Sequence, residues 1–259
     1  MPAFVQRFVL IRGLAREAGH WHELDRLLLE QFGEATIERV DLPGNGARWR
    51  ERSPLDIATM AADLRARVWA SDRRPPVLIA ISLGAMVCLE WLRRWPADPI
   101  VGLVAINTSA GKLSAPWERL RVPAWISTAR SLLERDPVAR ELGILELTTS
   151  GHRGDRALAE RHAAFHRERP IRRTNVVRQM IAAAGFRVDR RSSGAPVLLL
   201  NSAGDRMVDP RCSVKLARLL GAPLEVHPTA GHDLSLDDPR WCVERLHAWL
   251  SVRSYVTPS

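Results

Sequence analysis

The chain has 259 residues and a formal net charge of +9, with 38 lysines and arginines against 29 aspartates and glutamates. Hydrophobic residues make up 46% and charged residues 26%, proportions that are typical of a globular protein with a large core and that exclude a disordered chain. No apolar run reaches the roughly 18 residues of a membrane span, and the arginines are scattered, so neither a membrane span nor nucleic-acid binding is expected.

A buried strand and a helix meet at Ser82. Residues 77–81 form a continuous apolar run, the pattern of a parallel strand that is covered on both faces. Residues 83–95 have the spacing of an amphipathic helix, which Pro96 ends. A serine at such a corner stands clear of the sheet, and the backbone amide of Leu83 points into the same space. The pattern therefore predicts that Ser82 is a nucleophile.

Two further strand-like runs lie near the end of the chain, and each precedes a loop with a titratable residue. Residues 197–200 lead to Asp205, and residues 224–227 lead to His232. Because the carboxyl ends of parallel strands lie at one edge of a sheet, we expect Ser82, Asp205 and His232 to meet there. A hydroxyl, an imidazole and a carboxylate in contact supply a nucleophile, its base and an orienting acid.

Three other polar residues near these strand ends receive different interpretations. Asp209 is the rival to Asp205, but it precedes a proline and is expected to cap a helix. Asp233 directly follows the histidine and is expected to be structural. Asn107 ends a strand predicted over residues 100–107 and is expected to fix a loop, since an amide cannot act as the acid.

The chain resembles small α/β-hydrolases over nearly its whole length. The resemblance rests on motifs in the family's order, namely the first strand and oxyanion loop (8–14), the D-x-P-G-x-G turn (40–46), the nucleophile elbow (80–84), the acid loop (203–208) and the histidine loop (231–233). One departure is Ala80, which replaces the first glycine of G-x-S-x-G. The resemblance implies an α/β fold with a mostly parallel sheet of about six strands, helices on both faces and a helical lid insertion.

The resemblance also implies an activity. It makes Ser82, His232 and Asp205 a catalytic triad, with the backbone amides of Leu14 and Leu83 as the oxyanion hole. The implied substrate is an ester or thioester of a small, largely apolar acyl group, as for carboxylesterases of the pimeloyl-carrier-protein methyl ester type. The same fold carries lactonases, C–C hydrolases, perhydrolases, lyases and non-catalytic ligand-binding proteins, and these alternatives stay open.

The expected organisation is a hydrolase core in two parts, residues 1–109 and 191–259, separated by a helical lid over residues 110–190. Four helix-like segments occur in the lid: 116–120, 129–135, 156–169 and 173–184. Trp117 and Trp125 are candidates for its underside and for substrate contact, or they pack within the lid itself.

The oxyanion loop departs from the family, which usually has His-Gly where this chain has Arg12-Gly13. Both residues are candidates for substrate binding. A permanent cation at Arg12 can bind a substrate carboxylate or pair with a nearby acid, and pairing is the favoured interpretation. The overall excess of arginine reflects genomic base composition, or attraction to an acidic partner such as an acyl carrier protein or an anionic acyl substrate.

No cofactor or metal is expected. His162 and His166 are four residues apart and can share a helix face, but the sequence offers no third ligand. The cysteines Cys88, Cys212 and Cys242 are odd in number and lack C-x-x-C spacing, which predicts reduced thiols. Together with the lack of a signal-like apolar segment, they predict a cytoplasmic location.

Overall fold

Six parallel strands form one sheet at the centre of the protein. The computed structural model describes residues 6–189 and 194–254. The strands are β1 (Arg7–Ile11), β2 (Thr36–Val40), β3 (Pro76–Ile81), β4 (Gly102–Ile106), β5 (Val197–Ser202) and β6 (Leu224–His227). Their order across the sheet is β2-β1-β3-β4-β5-β6, and every neighbouring pair is parallel. The predicted sheet is confirmed.

Helices cover both faces of the sheet, as predicted. They are α1 (Leu24–Phe32), α2 (Ile57–Ser71), α3 (Leu83–Arg94), α4 (Pro116–Arg119), α5 (Val122–Leu133), α6 (Pro137–Thr148), α7 (Arg156–Glu168), α8 (Arg173–Gly185), α9 (Arg211–Leu220), α10 (Leu234–Asp237) and α11 (Pro239–Ser254). Because side chains alternate along a strand, Phe8 and Leu10 pack against α1 and α11, whereas Val9 and Ile11 pack against α2 and α3. None of the described helices combines the length and apolarity of a membrane span.

The helices from α4 to α8 connect β4 to β5. Helix α6 packs against both α5 and α7, whereas α8 packs against α2 and α3 of the sheet-covering layer. The division of the chain into 1–109, 110–190 and 191–259 stays a prediction. Its second boundary falls within residues 190–193, which lie outside the described part of the chain.

Two prolines between the predicted helical segments lie in the first turns of helices. Pro123 is in α5, which therefore begins well before the predicted start at residue 129, and Pro137 opens α6, a helix that the sequence analysis does not predict. Proline is tolerated there because the first amides of a helix have no intrahelical acceptor. The Asp136 carboxylate caps α6 by accepting a hydrogen bond from the amide of Val138 at 2.9 Å.

The start of α3 packs directly against the end of β1 at Gly84. A Cβ atom on Gly84 would lie 2.6 Å from the carbonyl oxygens of both Ile11 and Arg12. Because side-chain atoms do not approach backbone oxygens so closely, this contact requires glycine. The glycine thereby sets the distance between the elbow at Ser82 and the loop that follows β1.

Replacing Gly84 with alanine is expected to lower the free energy of unfolding by about 1–3 kcal/mol, because α3 must move away from β1. Urea unfolding followed by circular dichroism measures this change. Gly143→Ala in α6 is the matched control, since no atom lies within 4 Å of the added Cβ and alanine favours a helix. Wild-type stability in Gly84→Ala would contradict the close packing.

Candidate active site

Ser82 occupies the corner between β3 and α3 with φ 55° and ψ −117°. A positive φ is uncommon for residues other than glycine, and it persists only where neighbouring structure holds it. Here the amide of Ser82 donates to the carbonyl of Ile106 at 2.9 Å, and the Thr108 hydroxyl donates to the carbonyl of Ser82 at 3.0 Å. The end of β4 therefore fixes the corner.

The predicted base and acid are in direct contact. Nδ1 of His232 lies 2.7 Å from Oδ2 of Asp205, and the side chain of Asp205 is fully buried. The other carboxylate oxygen accepts hydrogen bonds from the amides of Met207 at 2.7 Å and Val208 at 2.9 Å. Because a carboxylate only accepts, the Nδ1 atom donates, and Nε2 of the neutral imidazole is left as the acceptor.

Asn107 anchors the histidine loop, consistent with the loop-fixing role expected for it. Its side-chain nitrogen donates to the carbonyl of His232 at 2.8 Å and to the hydroxyl of Ser202 at 2.9 Å. Its side-chain oxygen accepts from the amide of Ser202 at 2.9 Å. One buried amide thus joins the ends of β4 and β5 to the loop that carries the imidazole.

The backbone amides of Leu14 and Leu83 lie on the two segments that adjoin Ser82. The loop after β1 packs against the serine, since a Cβ on Gly13 would lie 3.1 Å from Cβ of Ser82 and 3.7 Å from the amide nitrogen of Leu83. Within residues 6–189 and 194–254, neither amide donates a hydrogen bond to another residue. Their role as an oxyanion hole stays a prediction.

Ser82 and His232 line the same cavity, which has a volume of about 320 Å³. Arg12, Gly13 and Leu14 also line it, as do residues of α5, α6 and α8. This volume is in the range of sites for small organic molecules. The structure therefore brings most of the predicted site residues to one cavity.

Trp117 and Trp125 are not among the residues that line this cavity, and their side chains are 68% and 50% exposed. The cavity meets the second half of α5, at residues 127–132, whereas Trp125 lies in the first turn and Trp117 on the short α4. The cavity as the structure forms it therefore involves neither tryptophan, and their predicted contact with the substrate stays a prediction.

Arg12 forms an ion pair with Asp233. Asp233 is therefore the nearby acid with which Arg12 was expected to pair. The Arg12 guanidinium donates to both carboxylate oxygens of Asp233 and to the hydroxyl of Ser235 at 2.9 Å, and it lies 4.9 Å from the ring centre of Trp21. Burial alone would raise the pKa of Asp233, but the Arg12 charge holds that pKa well below its usual range. The pair links the oxyanion loop to the histidine loop.

A buried group of histidines, which was not predicted from the sequence, lies beside the cavity. Candidate ligand atoms of His20, Glu141 and His162 lie within 4.8 Å of one another. Nη1 of Arg16 lies 3.1 Å from Nε2 of His20 and 2.7 Å from Oε2 of Glu141, so a guanidinium already balances the carboxylate. We therefore assign no metal to this group. His166, one turn after His162, contacts Arg140.

The histidines of this group, His20 and His162, and the adjacent His22 are held in their neutral form. Burial lowers the pKa of His22 to about 4, and burial also lowers the pKa of His20 and of His162. Nε2 of His22 lies 2.9 Å from Nε2 of His162, so protonation of both rings would place two cations in contact. This contact joins the segment before α1 to α7.

A family model described as the alpha/beta hydrolase family matches residues 8–245. A search of curated proteins finds no match. Many solved structures share the fold.

Three of these structures illustrate the similarity. A hydrolase from Pseudomonas aeruginosa is 21% identical, covers 95% of this chain and 89% of its own, and has a TM-score of 0.76. An esterase from Rhodococcus is 19% identical, the alignment covers 95% of this chain and 90% of the esterase, and the TM-score is 0.72. An enol-lactonase from Burkholderia xenovorans is 16% identical, the alignment covers 95% of this chain and 92% of the lactonase, and the TM-score is 0.76. At these identities the similarity demonstrates the fold.

The buried histidines make stability depend on pH. The unfolded chain protonates His22 near its ordinary pKa of 6.5, but the folded chain does so only near 4, so stability falls as the pH drops through this interval. Glu17 acts in the opposite sense, because burial raises its pKa to about 7. His22→Asn isolates the histidine contribution.

Between pH 7 and pH 5 the wild type is expected to lose about 1 kcal/mol more stability than His22→Asn, after allowance for solvent at the partly exposed ring. Urea unfolding of both proteins at each pH measures the difference. Equal losses in the two proteins would contradict the assignment.

Proposed function

The chain belongs to the alpha/beta hydrolase family, and we propose that it is a serine hydrolase that cleaves an ester or thioester of a small, largely apolar acyl substrate. The observation that carries this proposal is the 2.7 Å contact between His232 and Asp205, with Ser82 on the wall of the cavity that His232 also lines. A strained serine at the start of a helix, in the same cavity as an oriented imidazole, is an arrangement that supports acyl transfer.

Acylation begins when Oγ of Ser82 attacks the carbonyl carbon of the substrate. Nε2 of His232 takes the hydroxyl proton, and Asp205 stabilises the imidazolium that forms. The amides of Leu14 and Leu83 donate hydrogen bonds to the oxyanion of the tetrahedral intermediate. The bond to the leaving alcohol or thiol then breaks, the leaving group takes the proton from His232, and an acyl-Ser82 ester remains.

Deacylation repeats these steps with water as the nucleophile. Nε2 of His232 takes a proton from water, the resulting hydroxide attacks the acyl-Ser82 carbonyl, and the same amides stabilise the second oxyanion. When this intermediate collapses, Ser82 regains its proton from His232 and the carboxylic acid leaves. Every proton and electron pair in the cycle is supplied by substrate, water or these residues, so the proposed reaction requires no cofactor.

Residues of α5, α6 and α8 line the cavity, and we propose that residues 110–190 act as its lid. Apolar side chains from this region include Leu132, Ile144 and Val176. Apolar walls favour acyl chains, and a cover that excludes water strengthens the hydrogen bonds to the oxyanion.

A cytoplasmic location is also part of this proposal. Cys88, Cys212 and Cys242 are all buried and unbonded to one another, as expected where thiols remain reduced. Burial raises the pKa of each thiol, so none is activated as a rival nucleophile to Ser82.

Ser82→Ala is expected to abolish hydrolysis of a short-chain p-nitrophenyl ester and labelling by a fluorophosphonate probe, because both need the serine oxygen. The expected loss in kcat is on the order of 10⁴ to 10⁶. Ser127→Ala, which removes another cavity serine, is the matched control and should still be labelled. Labelling that persists in Ser82→Ala would refute the nucleophile assignment.

Asp205→Asn is expected to reduce kcat by on the order of 10⁴, because an amide donor at this position disfavours the imidazole form with its proton on Nδ1. Asp209→Asn is the control, since the carboxylate of Asp209 contacts Arg211 and not the imidazole. Steady-state kinetics with the same ester measures both variants. If Asp209→Asn were the more damaging change, the acid would be misassigned.

A further inference from the structure

Four arginines line the cavity that contains Ser82, but only two carboxylates do. Arg12 is paired with Asp233, and Arg16 is paired with Glu141. These two pairs account for both acids of the wall. The remaining arginines, Arg140 and Arg173, give the cavity an excess of two positive charges.

Arg140 carries a charge that the described part of the chain does not neutralise. Its guanidinium donates to Nε2 of His166 at 2.6 Å and to the carbonyl of Glu134 at 3.0 Å, both neutral acceptors. Burial and the adjacent guanidinium lower the pKa of His166, which keeps that imidazole neutral. Nε of Arg140 is buried without a hydrogen-bond partner, although a buried charged donor ordinarily has one.

Arg173 stands at an electrostatically unfavourable position. It is the first residue of α8, where the helix dipole is positive and acidic side chains are preferred. Among residues 6–189 and 194–254, no carboxylate lies within ion-pair distance of it. A bound anion would relieve the repulsion at this site and at Arg140 together, because both side chains line the same cavity.

The other residues that line the cavity indicate the chemistry of the uncharged part of the ligand. The lining of the same cavity also includes the apolar side chains of Ile144, Ile171, Val176 and Met207. Such a surface takes a hydrocarbon chain, since each buried methylene group contributes about 0.8 kcal/mol. A ligand that matches the wall therefore combines an apolar chain with one negatively charged end.

We propose that the substrate is a half-ester or half-thioester of a dicarboxylic acid, whose free carboxylate is bound by Arg140 and Arg173 while its acyl carbonyl faces Ser82. This inference rests on the proposed hydrolase function. It goes beyond that function by making the two arginines determinants of specificity. The bond that is cleaved is unchanged, and the product is a dicarboxylate.

The test compares the p-nitrophenyl half-ester of adipic acid with p-nitrophenyl hexanoate, which has the same acyl length without the charge. The quantity measured is the ratio of kcat/KM for the two esters in wild type, Arg140→Met and Arg173→Met. We expect wild type to favour the half-ester and each variant to lower the ratio about tenfold, the value of one hydrogen bond between charged groups. Thermal unfolding verifies that each variant is folded.

Arg172→Met is the matched control. Arg172 adjoins Arg173 at the same helix end and both residues are exposed, but Arg172 does not line the cavity, so its removal should leave the ratio unchanged. Cleavage of both esters without preference for the half-ester, or equal ratios in all three variants and wild type, overturns the inference and leaves the hydrolase intact. Failure to cleave either ester, with no fluorophosphonate labelling, overturns the proposed function and this inference with it.

Discussion

Asn107 lies at the end of β4, and its buried side-chain amide contacts both the end of β5 and the loop that carries His232. Each of these contacts satisfies a polar group that the sheet cannot satisfy, because strand pairing ends there. A buried amide with all its partners in place permits only one arrangement of the segments around it. The position of the imidazole relative to Ser82 therefore follows from how three strands end, and the distance along the chain between the two residues matters little.

The central strands were predictable because both of their faces are covered. β3, β4 and β5 are fully buried, and a continuous apolar run is the direct consequence of burial on two faces. β2 lies at the edge of the sheet, so Glu38 and Arg39 can face solvent and the apolar signal is lost. Helix α6 was not predicted for a different reason. A proline in the interior of a helix breaks it, whereas Pro137 lies in the first turn, where proline is tolerated.

The positions of Ser82, Asp205 and His232 were predictable because each follows a strand, and the topology of a parallel sheet brings strand ends together. The ion pair between Arg12 and Asp233 joins residues 221 positions apart, so the sequence indicated that Arg12 would find a partner but not which one. The contact of His22 with His162 likewise has no local signal. Hydrophobicity alone also did not indicate that Trp117 and Trp125 are exposed, because it does not reveal which face of a helix packs against the rest of the protein.

The location of the arginines explains why net charge alone is a poor guide to the ligand. The net charge of +9 is summed over the whole chain, and at physiological ionic strength an exposed charge acts on a partner only within about 8 Å. Arg12 and Arg16 add no net charge to the cavity, because carboxylates that line the cavity neutralise them. Arg140 has no such compensation and adjoins apolar residues, where less water screens its charge and an anion is attracted more strongly. The attraction of an anion to this cavity therefore depends on which of its arginines have no carboxylate partner. The folded structure determines these pairs, and the amino-acid composition does not.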